Sequence, residues 1–563
     1  MAMAGVKAPI PGVVYMAQRD IEQYVAAGVL TDKGLAAAFR DSFARHAGQV
    51  ALSDPDGLVT YAELDEITDR GAAALWRLGL RPTDRALFQM RNCRELVSAF
   101  FSCLKIGVIP VCTLAAHREQ EIGYLGQHAA AKVHFIHADD ERFDLMAFAA
   151  KMGPLIPTME HVITVRAAAA GEGVLRFEDM IEAEDAGAAR DLVASIDLDP
   201  YQVAVFQLSG GTSGVPKIIP RFGNEFLYGM QSVADFVGLP DDIVTFTPNP
   251  LMHNAAMSCF WGPTLLLGGE VTIAGGPSMD QIEAAIAARR PRWFAMAKVH
   301  LMRLIERGAV ERLDLSTVFG FAVPDSAPVL QRLLGAPCYH LYGMTEGLLV
   351  HCRPGDPEEA LAVTVGRATS PYDEIKIVQP GTEDVLPDGE IGELLVRGPC
   401  TIRGYFDAPE RDADAITADG FYRSGDLMSF RLVNGERYLV FNGRVKDVVD
   451  RGGEKINCSE VEVAMGDHPG VLAVACVAMP DPLYGERMCA FVVPRADVGA
   501  PGLGEIGRFL EGRGLAKFKW PERIELVSEL PMTTSGKVSK PLMREIIAAK
   551  LKAESSEAKA SAN

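Results

Sequence analysis

The sequence has no excess of basic residues, no long apolar run and no paired-cysteine motif. Of its 563 residues, 55 are Lys or Arg and 74 are Asp or Glu, which gives a formal net charge of −19. Nucleic acids and anionic membranes require a basic surface, so this charge disfavours both as partners. No stretch reaches the roughly 18 apolar residues of a membrane-spanning helix. Hydrophobic residues make up 48% and charged residues 23%, as is typical of a soluble globular protein.

The ten cysteines are scattered, without a CxxC pair or a Cys/His cluster at zinc spacing. In a large chain this distribution is typical of reduced thiols that act as small buried hydrophobic side chains. The first twenty residues contain prolines within a short apolar stretch and make a poor signal peptide. We therefore expect a cytoplasmic protein.

Apolar runs typical of strands alternate with helical patterns along most of the chain, which predicts α/β layers. Thr60 and Glu63 predict a capping box at the start of one helix, and Gly79 is expected to end that helix. Strand runs are expected at 203–208, 244–247, 270–274, 293–296, 318–323 and 338–342. The length calls for two or more domains, and the pattern changes near residue 444.

Beyond that point the expected order is strand 471–479, strand 488–494, helix 504–513 and strand 524–527, a compact α+β unit. The last residues are small and polar, and they predict a frayed end. We thus expect a large N-terminal domain of several α/β subdomains over 1–443. A small mobile α+β domain over 444–551 and a disordered tail over 552–563 would follow it.

The strongest local motif is Ser209-Gly210-Gly211-Thr212-Ser213-Gly214-Val215-Pro216-Lys217, directly after an expected strand. Glycines let several backbone N–H groups face one anion, and the hydroxyls and the lysine add further donors. Pro216 precedes the lysine and no hydroxyl follows it, so the motif is not a Walker A loop. The loop favours binding of a polyphosphate, with a flexible surface turn as the alternative.

Other segments also carry candidate site residues. In Tyr342-Gly343-Met344-Thr345-Glu346-Gly347 the ring can face a flat base, the threonine can bond a phosphate and the carboxylate can hold Mg²⁺. An ordinary turn with a solvated glutamate is the alternative. In Tyr422–Leu427, Asp426 could accept from two ribose hydroxyls. Segments 443–447 and 451–456 are by themselves typical of a solvated face, and Pro531–Lys540 is a glycine-hinged loop that presents Lys537.

In this order these segments resemble the superfamily of adenylate-forming enzymes, which comprises acyl- and aryl-CoA synthetases, peptide-synthetase adenylation domains and beetle luciferases. The resemblance extends from about residue 35 to residue 551. Within the superfamily, 2,3-dihydroxybenzoate–AMP ligases of siderophore synthesis look similar in FQLSGGTSGVPKIIPR, SPYDEIKI, TIRGYF, GFYRSGDL, VKDVVDRGGEK and LPMTTSGKVSK.

The resemblance implies a role for each matching residue. The loop Ser209–Lys217 would grip the β- and γ-phosphates, Tyr342 and Gly343 would line the adenine site, Thr345 would touch the α-phosphate, Glu346 would hold Mg²⁺, and Asp426 and Arg444 would bind the ribose. Lys537 would bridge the carboxylate and the α-phosphate. Lys446 matches the hinge position, about which the small domain would swing before the second step. Gly452 and Gly453 would then let a pantetheine arm pass.

The resemblance also implies an acid pocket. His253 matches an aromatic gate beside the carboxylate, and Asn254 matches a residue that meets a ring hydroxyl. Cys259 replaces a serine of the dihydroxybenzoate ligases and is a weaker hydrogen-bonding partner. Phe321-Ala322-Val323-Pro324 replaces their Gly-Gly-Ala stretch, and Leu349 would line the same cavity. We therefore expect a less hydroxylated acid, such as benzoate, salicylate or an alicyclic acid, rather than dihydroxybenzoate.

The expected function is ATP-dependent, AMP-forming activation of an aryl or cyclic carboxylic acid, followed by transfer to coenzyme A. The alternative is a stand-alone adenylation enzyme that loads the phosphopantetheine of an aryl carrier protein. No carrier domain follows the Lys537 segment, so either thiol would come from outside. The acid, the pathway and the oligomeric state stay open. A luciferase-like oxygenase has no motif in its favour, and a nucleotide-binding regulator without catalysis would need damaged motifs, whereas the catalytic ones are intact.

Overall fold

The computed structural model describes residues 5–140, 143–169, 171–209, 216–451, 454–496, 498–533 and 537–561. In the large N-terminal part, the strands are β1 Val50–Asp54, β2 Gly57–Thr60, β3 Arg85–Gln89, β4 Ile109–Val111, β5 Val133–His137, β6 His161–Val165, β7 Val174–Arg176, β8 Val203–Ser209, β9 Lys217–Phe222, β10 Val244–Phe246, β11 Glu270–Thr272, β12 Trp293–Ala295, β13 Gly320–Val323, β14 Cys338–Gly343, β15 Leu349–His351, β16 Arg367–Ala368, β17 Glu374–Val378, β18 Gly392–Arg397, β19 Tyr422–Val433 and β20 Glu436–Arg444. They are followed by β21 Val448–Arg451, β22 Glu454–Asn457, β23 Val471–Asp481, β24 Gly485–Pro494 and β25 Arg523–Leu526.

The helices cover the faces and edges of these sheets. They are α1 Gln18–Ala26, α2 Leu35–Arg45, α3 Tyr61–Arg77, α4 Arg94–Lys105, α5 Glu119–His128, α6 Leu145–Met152, α7 Phe177–Glu182, α8 Ala186–Ser195, α9 Gly223–Val237, α10 Asn254–Ala256, α11 Gly262–Leu267, α12 Met279–Arg289, α13 Lys298–Glu306, α14 Ala309–Arg312, α15 Ala327–Leu334, α16 Glu358–Val363, α17 Pro409–Ala415, α18 Cys458–Gly466, α19 Leu503–Gly512 and α20 Lys540–Ser561. A π-helical turn, Met257–Trp261, joins α10 to α11, and short 3-10 turns lie at Gly153–Leu155, Val445–Asp447 and Lys517–Lys519.

The first sheet has the order β7-β6-β5-β3-β4-β8-β9. The pairs from β7 to β8 are parallel, and β9 returns antiparallel to β8. The carboxyl ends of the parallel strands share one edge, where loops usually carry the chemistry of α/β folds. Ser209, the last residue of β8, is therefore placed at that edge.

The second sheet has the order β16-β15-β14-β13-β12-β10-β11-β1-β2. Its central strands, from β1 to β14, are parallel, and β2, β15 and β16 add antiparallel pairs at the two edges. The core is packed against both faces, since successive side chains of a strand point to opposite sides. Trp293 and Ala322 belong to one buried cluster, whereas Phe294 and Phe321 belong to another.

A third, antiparallel sheet has the order β17-β18-β19-β20. Its long hairpin, β19–β20, pairs Asp426 with Arg444 across the two strands. The hairpin leads directly into the 3-10 turn Val445–Asp447 and the last sheet.

The last sheet has the order β22-β21-β24-β23, with β25 parallel to β24. The predicted succession of strand, strand, helix and strand is confirmed by β23, β24, α19 and β25. The disordered tail predicted from residue 552 is corrected, because α20 continues to Ser561. This stretch is rich in alanine, glutamate and lysine, which favour helix, and Glu554 pairs with Arg523 at 2.6 Å.

Two local predictions and the fold class agree with the structure. Thr60 and Glu63 form the capping box of α3, and Gly79 has φ +106°, a backbone that favours glycine. The ten cysteines all lie in described parts of the chain and are buried free thiols. None of the described helices is long and apolar enough to cross a bilayer.

Candidate active site

The predicted phosphate loop connects β8 to β9. Ser209 and Lys217 pair at its base, whereas Gly210, Gly211, Thr212, Ser213 and Gly214 lie outside the described residues. The Ser209 hydroxyl oxygen is buried and has no hydrogen-bond partner among the described residues. A buried hydroxyl without a partner is uncommon in proteins, and at this edge it is available to donate to an anion.

Lys217 reaches the carboxylate of Glu346 through a tyrosine. The ammonium lies 3.3 Å from the Tyr405 hydroxyl and 4.3 Å from its ring centroid. That hydroxyl donates to Glu346 Oε1 at 2.9 Å and lies 3.0 Å from the hydroxyl of Tyr422. Burial lowers the pKa of Lys217, although Glu346 opposes the shift. Two predicted site residues, Lys217 and Glu346, are thus connected through Tyr405. Tyr405 and its neighbour Tyr422 had no role assigned from the sequence.

Tyr342, Asp426 and Arg444 form a second group. Tyr342 donates to Asp426 Oδ2 at 2.6 Å, and Arg444 Nε lies 3.1 Å from Asp426 Oδ1. Burial raises the pKa of Asp426 above its usual range, while Arg444 and the tyrosine oppose the rise. Gly343 follows Tyr342 and is exposed, and a Cβ there would lie 2.9 Å from Leu349 Cδ2. A flat ligand can therefore approach the backbone beside Tyr342.

Lys537 lies among the groups of both clusters. It is accessible to solvent, yet the surrounding chain displaces part of the water from its ammonium. This desolvation and the Arg444 cation lower the pKa of Lys537, and Glu346 and Asp426 oppose the shift. Thr533 Oγ1 accepts from the Lys537 N–H at 3.1 Å, which ties the lysine to its own loop. A single cation from the last part of the chain thus faces carboxylates that the large sheets position.

His253 lies near enough to Lys537 for that cation to affect its pKa, and Asn254 follows it in the chain. His253 caps α10, with Nδ1 accepting from the Ala255 N–H at 3.3 Å, so the neutral ring carries its proton on Nε2. Burial, together with the Lys537 cation, lowers the pKa of His253 to about 4. The ring is therefore neutral near pH 7 and can donate from Nε2. Asn254 is buried, and its Oδ1 has no hydrogen-bond partner among the described residues.

Three of the predicted acid-pocket residues share one buried cluster. Cys259, Ala322 and Leu349 pack with Trp293, and we call these four residues the acid-side cluster. Phe321, also predicted to line the pocket, lies in a different cluster, where its ring stacks on Phe294 at a centroid distance of 4.4 Å. The reason is the strand pleat, which directs Phe321 to the face opposite Ala322.

Lys446, the predicted hinge residue, lies in the 3-10 turn between β20 and β21. Arg544 of α20 donates to the Lys446 carbonyl at 2.8 Å and to Asp447 Oδ1 at 2.5 Å. The Lys446 side chain is exposed, and its charge helps to lower the pKa of Lys217, so the hinge lies near the base of the phosphate loop. Gly452 and Gly453, the predicted thiol passage, lie outside the described residues.

A buried ion pair that the sequence did not indicate contacts the carbonyl of Thr345. Arg221 and Glu225 are joined by two hydrogen bonds of 2.9 and 2.7 Å, and Arg221 Nη1 donates to the Thr345 carbonyl at 2.8 Å. On the other side of the same loop, the Ile402 N–H donates to the Glu346 carbonyl at 2.9 Å. Arg221 belongs to β9 and Glu225 to the first turn of α9, so no helical spacing in the sequence indicates this pair.

The arrangement fits a nucleoside triphosphate with Mg²⁺. Ser209 and Lys217 supply a donor and a cation for phosphates, Asp426 supplies an acceptor for ribose hydroxyls, and Tyr342 lies beside an open glycine. Among the described residues no three potential metal ligands come together. Glu346 would therefore share the ion with phosphate oxygens, as Mg²⁺ sites in nucleotide-binding proteins commonly do.

The Arg221–Glu225 ion pair is expected to contribute to the free energy of unfolding. Arg221→Met should leave a buried carboxylate without its cation and lower the free energy of unfolding by about 3–5 kcal/mol. The double variant Arg221→Met/Glu225→Leu, which removes both charges, should recover part of that loss. Urea unfolding followed by tryptophan fluorescence measures both. A single variant as stable as wild type would show that the pair does not hold the loop.

Comparison with known proteins agrees with this geometry. The profile described as AMP-binding enzyme matches residues 39–406, and the profile described as AMP-binding enzyme C-terminal domain matches residues 460–537. The chain is 35% identical to the 2,3-dihydroxybenzoate-AMP ligase of Bacillus subtilis, over 91% of this chain and 93% of that protein. It is 34% identical to a salicylyl-CoA synthase / salicylate adenylyltransferase of a Streptomyces species, over 96% of this chain and 98% of that protein.

A solved structure is similar as well. The apo structure of MbtA from Mycobacterium smegmatis matches with a TM-score of 0.70 and 33% identity, over 95% of this chain and 98% of that one. The matched family profile covers more than half of the chain and spans the Ser209–Lys217 loop and Glu346. The chain therefore belongs to the AMP-binding enzymes, the adenylate-forming superfamily that its motifs resemble.

Proposed function

We propose that this enzyme uses ATP to convert an aryl carboxylic acid into an acyl-adenylate and then transfers the acyl group to coenzyme A. The observation that carries the proposal is the position of Lys537. Its pKa responds to Glu346, Asp426 and Arg444, and it in turn affects His253. The Lys537 cation therefore lies between the proposed nucleotide-binding groups and His253.

This position suits the chemistry of adenylation. A carboxylate that attacks the α-phosphate brings two anions together, and the transition state gathers charge on the phosphate oxygens. A cation held at that point stabilises the transition state more than the separated reactants, and such electrostatic stabilisation is commonly a large part of catalysis. Lys537 would bridge the carboxylate and the α-phosphate, and the neutral His253 would donate to the acid from Nε2.

The remaining groups bind and orient the nucleotide. Ser209 and Lys217 would hold the β- and γ-phosphates, with Thr345 at the α-phosphate. Tyr342 and Gly343 would line the adenine, and Asp426 with Arg444 would bind the ribose. Mg²⁺ held at Glu346 would offset phosphate charge. Orientation of this kind accounts for a substantial part of the rate of a reaction between two bound substrates.

The aryl acid is supported by the relatives and by the apolar composition of the acid-side cluster. The two relatives named above carry 2,3-dihydroxybenzoate or salicylate in their names. Cys259, Ala322, Trp293 and Leu349 form an apolar cluster that suits a ring. Among the named activities, a salicylyl-CoA synthase favours coenzyme A as the acceptor, and the alternative is an aryl carrier protein, whose arm ends in the same phosphopantetheine thiol.

The second step would require a rearrangement about Lys446. In our proposal, residues 1–443 form the large domain and residues 444–551 form the mobile one. A swing at this turn would withdraw Lys537 and bring Gly452 and Gly453 to the acyl-adenylate. The exposed turn Val445–Asp447, between two ordered sheets, supports a hinge at this point.

A screen of acids tests the whole proposal. With Mg²⁺ and ATP, aryl acids should release pyrophosphate, and coenzyme A should then yield an aryl thioester that mass spectrometry detects. The reaction without coenzyme A is the control for adenylation alone. Activity with straight-chain fatty acids only would contradict the aryl acid. Adenylation without any thioester would shift the acceptor to a carrier protein.

Lys537→Ala should reduce adenylation by two to several orders of magnitude, about 3–5 kcal/mol of transition-state stabilisation, because the transition state loses its cation. Acid-dependent exchange of labelled pyrophosphate into ATP measures the step. Lys517→Ala removes an exposed lysine of the same part of the chain and should leave the exchange unchanged. Exchange within about tenfold of wild type in Lys537→Ala would refute the assigned role.

Lys446→Pro should spare adenylation and block thioester formation, because proline restricts its own φ and the residue before it. Pyrophosphate exchange and thioester yield, measured on the same preparation, separate the two steps. Lys446→Ala keeps the turn free to rotate and should preserve both. Equal loss of both steps in the proline variant would count against the hinge.

A further inference from the structure

His351 is a buried side chain that has no part in the reaction described above. It is the last residue of β15 and is 0% exposed. Alternate residues of a strand share a face, so His351 projects to the same side as Leu349. Its ring centroid lies 5.6 Å from that of Trp293. The ring therefore lies against the acid-side cluster, which contains both of those residues.

The hydrogen bonds of His351 determine which of its ring nitrogens carries the proton and which can accept. Nδ1 lies against the carbonyl of Cys352, which can only accept, so Nδ1 carries the proton. Burial lowers the pKa of His351 to about 4, which leaves the ring neutral at pH 7. Nε2 is then an acceptor. It is buried and has no hydrogen-bond partner within the described part of the chain.

Asn254 provides a second acceptor in the same state. Its Oδ1 is buried and lacks a partner among the residues described. The neighbouring donors are already directed elsewhere: Trp293 Nε1 faces the Cys259 carbonyl at 3.5 Å, and Ser258 Oγ donates to the Asn254 carbonyl at 2.7 Å. Buried acceptors that stay unpaired cost free energy, and a ligand that donates to them recovers it.

The register of β15 indicates where along the acid this acceptor lies. Leu349 is opposite Gly343, whereas His351 is opposite Leu341. His351 is therefore roughly 6–7 Å further along the strand from the proposed adenine site than Leu349. An acid whose carboxylate faces Lys537 would direct the distant part of its ring toward this end.

We infer that His351 is a specificity-determining residue whose Nε2 accepts a hydrogen bond from a hydroxyl or amino group on the acid, at a ring position distant from the carboxylate. The inference rests on the proposed function and names the substrate class more closely. It also reverses an expectation from the sequence. Cys259 and the Phe321–Pro324 stretch favoured a less hydroxylated ring, but His351 supplies an acceptor that compensates for the weak thiol.

Isosteres test the inference in the wild-type enzyme. Pyrophosphate release is measured with benzoate, with its hydroxy and amino isomers at each ring position, and with the matching fluoro acids, which cannot donate. At position 3 or 4, the hydroxy or amino acid should exceed the fluoro acid by at least about tenfold in kcat/KM. An equal response to both at every distant position would overturn the inference and indicate that an internal water pairs with Nε2.

Two variants then assign the effect to one atom. His351→Leu removes the acceptor and should reduce the preference to less than about threefold, while benzoate itself changes little. His351→Gln keeps an acceptor and should retain most of the preference. A preference that persists in the leucine variant would refute the role of His351, and if that variant does not fold, the wild-type isostere comparison decides alone. A wild-type enzyme inactive with every aryl acid would instead refute the proposed function, a result distinct from unchanged ratios.

Discussion

The central constraint on the proposed reaction is that two anions must meet, and Lys537 is the cation that lies near the groups proposed to bind them. Lys537 is set on a loop near the end of the chain, whereas Glu346, Asp426 and Arg444 are held by the large sheets. The protein as a whole carries a net charge of −19. Phosphate binding therefore depends on local groups, because the overall field repels anions.

The sheets explain how distant segments meet at this point. The first sheet presents Ser209 and Lys217 at the base of one hairpin, the second ends its central strands beside Glu346, and the third pairs Asp426 with Arg444. Tyr405 joins the first two groups, since its hydroxyl lies between Lys217 and Glu346. Apart from Lys537, which lies on a loop, these candidate site residues take their positions from the sheets or from the segments that directly follow the strands.

Much of this could be predicted from the sequence, because motifs with glycines and charged residues follow strands. The α/β class, the capping box at Thr60 and the later α+β unit are visible as periodicity and turn chemistry. The pairing of Arg221 with Glu225 behind Thr345 could not be predicted, since it depends on which loop packs against α9. Nor could the orientation of Phe321, which depends on the register of β13 and not on its composition. The end of the final helix was not expected because the segment is small and polar, yet its alanine, glutamate and lysine residues favour helix.

The connection between the two proposed domains is held by an ion pair on each side. Arg444 is tied to Asp426 of the third sheet, and Asp447 is tied to Arg544 of α20. Between these two anchors only Val445 and Lys446 remain, so in the proposed rearrangement the few backbone torsions from Arg444 to Asp447 would carry the reorientation of one domain against the other. With so short a connection, the small domain in our proposal would turn as a rigid unit, and the first turns of α20, which are tied to Asp447 through Arg544, would turn with it.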